Sequence, residues 1–63
     1  MNFDKQTINL AIKNLELTGK ALEKAANNPK IYNTDYAYYL EQISYATYCQ
    51  ANELKQLEIY YAI

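Results

Sequence analysis

Apolar and small side chains recur in the first arm of the chain at alternating steps of four and three: Ile8, Ile12, Leu15, Gly19, Leu22 and Ala26. That stepping places them on one stripe of an α-helix. Asp4 suits the N-cap and the pair Asn27-Asn28 the stop. Pro29 then interrupts the pattern, because it cannot continue a helix and pushes its predecessor toward extended geometry. The stepping resumes as Tyr36, Tyr39 or Leu40, Ile43, Ala46 or Thr47, Gln50, Leu54, Leu57 and Tyr61. Asn33 or Thr34 can cap this second arm, with Asp35 favourable in its first turn; a start with Asn28 as cap and Pro29 as first helical residue is the alternative. No Gly or Pro follows Lys30. The pattern predicts an all-α fold, one antiparallel two-helix hairpin over residues 1–63, with helix 1 about 3–27, a turn at 28–33 and helix 2 about 33–62.

The two stripes also fit each other. If the arms fold back about a midpoint near Ile31, residues whose numbers add to about 62 stand level. Ile8 then faces Leu54, Ile12 faces Gln50, Leu15 faces Ala46 or Thr47, Gly19 faces Ile43, Leu22 faces Tyr39 or Leu40, and Ala26 faces Tyr36. Small residues of one arm meet large ones of the other, as interdigitated packing requires. Met1 stands level with Tyr61, so the expectation is that neither arm overhangs.

Each helix carries apolar residues on a second side as well. Phe3, Leu10 and Leu17 repeat every seven residues, nearly opposite the first stripe, and Tyr38, Tyr45 and Tyr48, with Glu41 among them, face away from Ile43. A helix apolar on two sides is packed on two sides. The expectation is a homodimer forming a four-helix bundle, with Phe3, Leu10 and Leu17 in self-association, or a hairpin that docks on another protein.

Composition narrows the function classes. The chain has 63 residues, one cysteine, and no His, Trp or Arg. A chain of this length buries only about 60% of its unfolded surface, so no cofactor cleft or small-molecule substrate site is expected within it. The usual general base, the commonest metal ligand and the best phosphate clamp are missing. Six Lys against two Asp and five Glu leave a net charge of -1, where a generic nucleic-acid binder carries a basic excess. Cys49 alone cannot form an internal disulfide. The opening Met1-Asn2-Phe3-Asp4-Lys5 lacks a signal-peptide pattern, and the longest uncharged stretch after the first helix, Gln42 to Asn52, is far too short to span a bilayer. A cytoplasmic protein without a membrane partner is expected. Abundant Asn, Lys, Ile and Tyr without Arg is the bias of AT-rich coding DNA, compatible with a phage, plasmid or low-GC bacterial gene.

No catalytic constellation, metal site or cofactor is expected. Glu53 and Glu58 are not at one-face spacing, Asp4 and Asp35 read as helix-start residues, and the one glycine lies inside a helix rather than in a phosphate loop. Cys49 reads as a small apolar residue beside the packing seam, and Gln50 as a polar seam residue that fixes register or reaches water at the edge. Eight tyrosines are the compositional outlier. Tyr combines a large apolar area with a polar tip and is enriched in binding hot spots. The strip Tyr38, Glu41, Tyr45 and Tyr48 is the candidate partner-binding face; packing against a second copy and base stacking are the other readings of it. Lys13, Lys20 and Lys24 form a stripe able to track phosphates, although Glu16 and Glu23 interleave with them. A dimeric hairpin reading RNA loops through that stripe is similar, in size and architecture alone, to the small plasmid copy-number regulators; no sequence motif matches. The leading expectation is a non-enzymatic adaptor or inhibitor that covers a partner protein, and the alternative is this RNA- or DNA-binding regulator.

Overall fold

The computed structural model describes residues 5–60. They form α1, Lys5–Ala26, and α2, Asp35–Tyr60, packed together along their lengths with no strand among the described residues. The backbone fills an envelope of 47 × 16 × 14 Å, a two-helix rod. The expected caps at Asp4 and the level pair Met1 and Tyr61 lie outside the described residues, as does Phe3.

Of the two expected starts of the second helix, the structure takes the one at Thr34 and Asp35; the alternative at Asn28 and Pro29 yields only a turn that precedes it. Asn28 Oδ1 accepts from Lys30 N at 2.9 Å, and Asn28 O accepts from Ile31 N and Tyr32 N at 3.0 and 2.9 Å, so Asn28 caps one isolated helical turn beginning at Pro29. Asn33 ends that turn in the left-handed region, φ 64°, a conformation its short polar side chain tolerates. Thr34 then opens α2: its Oγ1 accepts from Ala37 N at 3.2 Å, satisfying one of the free N–H groups of the first turn. Asp35 adds its negative charge where the helix dipole favours it, and Lys24 does the converse in the last turn of α1.

The stripe on α1 is the expected one. Ile12, Gly19 and Ala26 are buried and Ile8, Leu15 and Leu22 half-buried. On α2 the seam differs by one position. Leu40, Thr47 and Leu54 enter it, but the residues between them are Ala37, Ser44 and Ala51, all buried. Tyr36, Tyr39, Ile43, Gln50 and Leu57 stay exposed, Tyr36 at 63% and Ile43 at 52%. Ser44 Oγ donates to Gly19 O at 2.7 Å across the seam, which sets level residues at numbers summing to 63: Ala26 with Ala37, Gly19 with Ser44, Ile12 with Ala51. Toward the turn small residues therefore meet small ones, Ala26 with Ala37 and Gly19 with Ser44, in place of the expected meeting of small with large.

The physical reason is close approach. A Cβ added at Gly19 would stand 2.9 Å from Thr47 Oγ1 and 3.0 Å from Tyr48 Cε2 and Cζ. Thr47 is itself held by donating to Ser44 O at 2.7 Å. A glycine in a helix interior costs about 1 kcal/mol relative to alanine, and here the missing methyl admits the Tyr48 ring. Tyrosine in the seam would have held the helices apart and required a buried partner for each hydroxyl. The resulting core is thin: the buried apolar residues are Ile12, Ala26, Ala37 and Ala51, and no large side chain is fully enclosed among the described residues. Where the seam opens, Glu58 is half-buried and its Oε1 finds no hydrogen-bond partner among the described residues; Lys5 stands level with it on α1.

Candidate interaction surfaces

Moving the α2 seam by one position decides what lies on either side of it. At about 100° per residue, Lys13, Glu16, Lys20 and Glu23 of α1 and Glu41, Tyr48 and Lys55 of α2 fall on one flank, backed by Tyr38 and Tyr45. Two contacts confirm the alignment. Lys55 Nζ meets Glu16 Oε2 at 2.9 Å in an ion pair whose side chains are 47% and 39% exposed, and Tyr48 Oη donates to Glu23 Oε2 at 3.5 Å. The opposite flank holds Ala11, Thr18 and Ala25 of α1 and Tyr36, Ile43, Gln50 and Leu57 of α2; half-buried Glu58, at the edge of the seam, is its one charged residue among the described helical positions.

The four residues expected to bind a partner lie together on the charged flank, near the turn. They line two adjoining clefts that share Glu41. The first, of about 360 Å³, is bounded by Tyr32, Thr34, Asp35, Ala37, Tyr38 and Glu41, and the second, of about 390 Å³, by Glu23, Asn27, Glu41, Ser44, Tyr45 and Tyr48. Each is walled by two carboxylates and two tyrosines, and no lysine lines either. Tyr45 is 70% exposed, whereas Tyr48 leans inward over Gly19. The Tyr48 phenol is pushed above its ordinary value, first by loss of water around it and then by the negative charge and hydrogen bond of Glu23 and the charge of Glu16. It remains a donor to Glu23 through the neutral pH range. Glu23, Asp35 and Tyr32 escaped the sequence reading as cleft residues. The signal for Glu23 was present, since its pairing with Tyr48 and that of Glu16 with Lys55 both sum to 71, but it becomes legible only once the seam is placed correctly.

The other expected site residues are dispersed. Leu10 and Leu17 occupy the outer ridge of α1, directly away from α2 and exposed, Leu17 at 54%. Lys24 continues that ridge at the same seven-residue spacing, while Lys13 and Lys20 sit on the charged flank with Glu16 and Glu23, so the lysine stripe is divided between two surfaces. Cys49 does not border the seam. Two residues removed from both Thr47 and Ala51, it lies on the outer side of α2, in a shallow depression with Asn52, Glu53, Gln56 and Leu57. Gln50 likewise leaves the seam and is exposed. Among the described residues no group of acidic, cysteine or histidine side chains is arranged to hold a metal ion, and no helix is long and apolar enough to cross a membrane.

Comparison with protein families, with curated proteins and with solved structures finds no match to this chain.

Proposed function

We propose that this chain is a non-enzymatic, cytoplasmic protein-binding hairpin, an adaptor or inhibitor of the kind encoded by phages and other mobile elements, which pairs with a second copy in a four-helix bundle and captures another protein through Tyr38, Glu41, Tyr45 and Tyr48. The observation that carries the reading is the pair of adjoining clefts walled by tyrosines and carboxylates. Their chemistry suits a partner that presents lysine or arginine side chains, whose charge is attracted both by a carboxylate and by the face of an aromatic ring. Phosphate groups suit them poorly, because the lysines that would hold a backbone are split between two surfaces and the clefts are acidic.

The test is affinity capture from a cell lysate with the intact chain and with the double variant Tyr38→Ala, Tyr45→Ala. Both tyrosines are exposed, so the variant should keep its helicity and its mass in solution while losing the captured protein. Equal capture by the variant rejects the face. Retention of RNA at low salt that falls when Lys13, Lys20 and Lys24 become Gln would replace the reading with the nucleic-acid one.

A further inference from the structure

The geometry points to the uncharged flank as the surface that pairs with a second copy of this chain, with Tyr36 and Ile43 of each copy seated on Ala25 and Thr18 of the other. Three observations carry it. The flank bears two parallel rows of opposite size: Ala11, Thr18 and Ala25 on α1, and Tyr36, Ile43 and Leu57 on α2, with Gln50 completing the second row. Tyr36 with Ala25 and Ile43 with Thr18 each sum to 61, within about 3 Å of the equal height that a sum of 63 marks. A two-fold axis parallel to the helices and lying in the interface keeps each residue at its own height while exchanging α1 for α2. Each large row then falls on the small row of the partner, and all neighbouring helices run antiparallel, which is the geometry of a four-helix bundle. Ridges alternate with hollows as close packing requires.

Charge selects the same occupant. A foreign protein that recognises a flank is steered by complementary charge, and here only Glu58, half-buried at the edge of the seam, interrupts a neutral surface among the described residues. A second copy brings an equally neutral one. Area agrees as well: a face of 47 by 16 Å is close to the roughly 800 Å² that each partner contributes to a stable interface. The outer ridge of Leu10 and Leu17 meets neither condition. A copy docked there would extend the molecule into four helices in a row, and the large flank of α2 would stay wet. Pairing through the uncharged flank leaves both tyrosine and carboxylate clefts facing outward, one on each side of the dimer.

The inference rests on the self-association proposed above but not on partner capture, and the experiment separates the two. Sedimentation of the intact protein should give twice the 7.3 kDa chain mass. Ile43→Lys should weaken self-association at least tenfold, whereas Leu17→Lys should leave it unchanged. A variant that loses its fold along with its partner is covered by a second measurement that preserves the surface. Two chains are mixed and oxidised, one carrying Thr18→Cys and the other Ile43→Cys, each with Cys49→Ser. They should form a disulfide-linked species of twice the chain mass. An intact protein that sediments as a monomer at every concentration removes the association itself. A dimer that survives Ile43→Lys, gives no mixed cross-link and dissociates with Leu17→Lys leaves association standing and overturns the assigned flank.

Discussion

The two flanks of this hairpin are built from the same pair of helices and differ in nearly every respect. One carries an ion pair between Glu16 and Lys55, a tyrosine to glutamate hydrogen bond, and two clefts lined with carboxylates. The other is neutral except for half-buried Glu58 and sets a row of small residues beside a row of large ones. Charged groups hold their solvation at an exposed surface at little cost, and exposed pairs contribute at most about 1 kcal/mol. Large apolar and aromatic groups left in water gain by being covered. On the readings proposed above, a second copy covers the second flank, while exposed Tyr38 and Tyr45 leave aromatic surface on the first for another protein. A helix pair with so thin a core leaves most of its apolar surface outside the seam, so the division of residues between the flanks matters more here than in a larger protein.

The sharpest way to break the contrast is to widen the seam that produces it. Gly19→Leu places a side chain where even a Cβ meets Thr47 and Tyr48 at 2.9 to 3.0 Å. Despite a gain of about 1 kcal/mol in helix propensity, the overpacking should destabilise the fold by a net amount on the order of 1–3 kcal/mol, read as a lower urea midpoint. Both flanks should suffer together, with the Tyr48 to Glu23 bond and the self-association declining in parallel.

A milder change tests the charged flank alone. Lys55→Gln removes the ion pair with Glu16, and since both side chains are substantially exposed, the loss should stay below about 1 kcal/mol and shrink toward zero in molar salt. Self-association should not respond. If it falls as steeply as with Ile43→Lys, the flanks are not independent surfaces.

The smallest effect is one of pH. The Tyr48 phenol is raised in the folded chain, so it stays protonated where an unfolded tyrosine has begun to ionise near pH 10. Below that pH the group contributes nothing to the pH dependence of stability; above it the unfolded form releases its proton first, and stability falls as pH climbs toward the folded value. Spectrophotometric titration should show Tyr48 ionising above the ordinary phenol range. Glu23→Gln should lower that value by removing a negative neighbour and its hydrogen bond.

Much of this architecture is readable from residue order. The alternating steps from Ile8 to Ala26, the punctuation at Asn28-Pro29 and the capping residues at Thr34 and Asp35 specify two helices and a turn, because they act through neighbours within a few positions. The stripe on α2 is ambiguous at that level. Tyr36, Ile43, Gln50 and Leu57 form one seven-residue series and Ala37, Ser44 and Ala51 another, one position apart. A rule that turns apolar bulk inward selects the first. The partner helix selects the second, since Gly19 and Ala26 allow an approach that only Ala37 and Ser44 can match, and the bond from Ser44 to Gly19 O satisfies the hydroxyl that this burial encloses. The candidate cleft at Tyr38, Glu41, Tyr45 and Tyr48 was visible as a strip, with Asp35 one turn before Tyr38 on the same helix, but its acidic wall from Glu23 belongs to α1 and comes into place only when the chain folds back.

Residue order by itself therefore determined that the chain makes two long helices, where they are separated, and which side of α1 faces inward. Tertiary structure alone decided which side of α2 faces inward. Two series with the same period present the same local propensities, and only the distance at which a second helix can approach distinguishes them. That single choice sorts charge to one flank and bulk to the other, and with it every surface this protein has to offer.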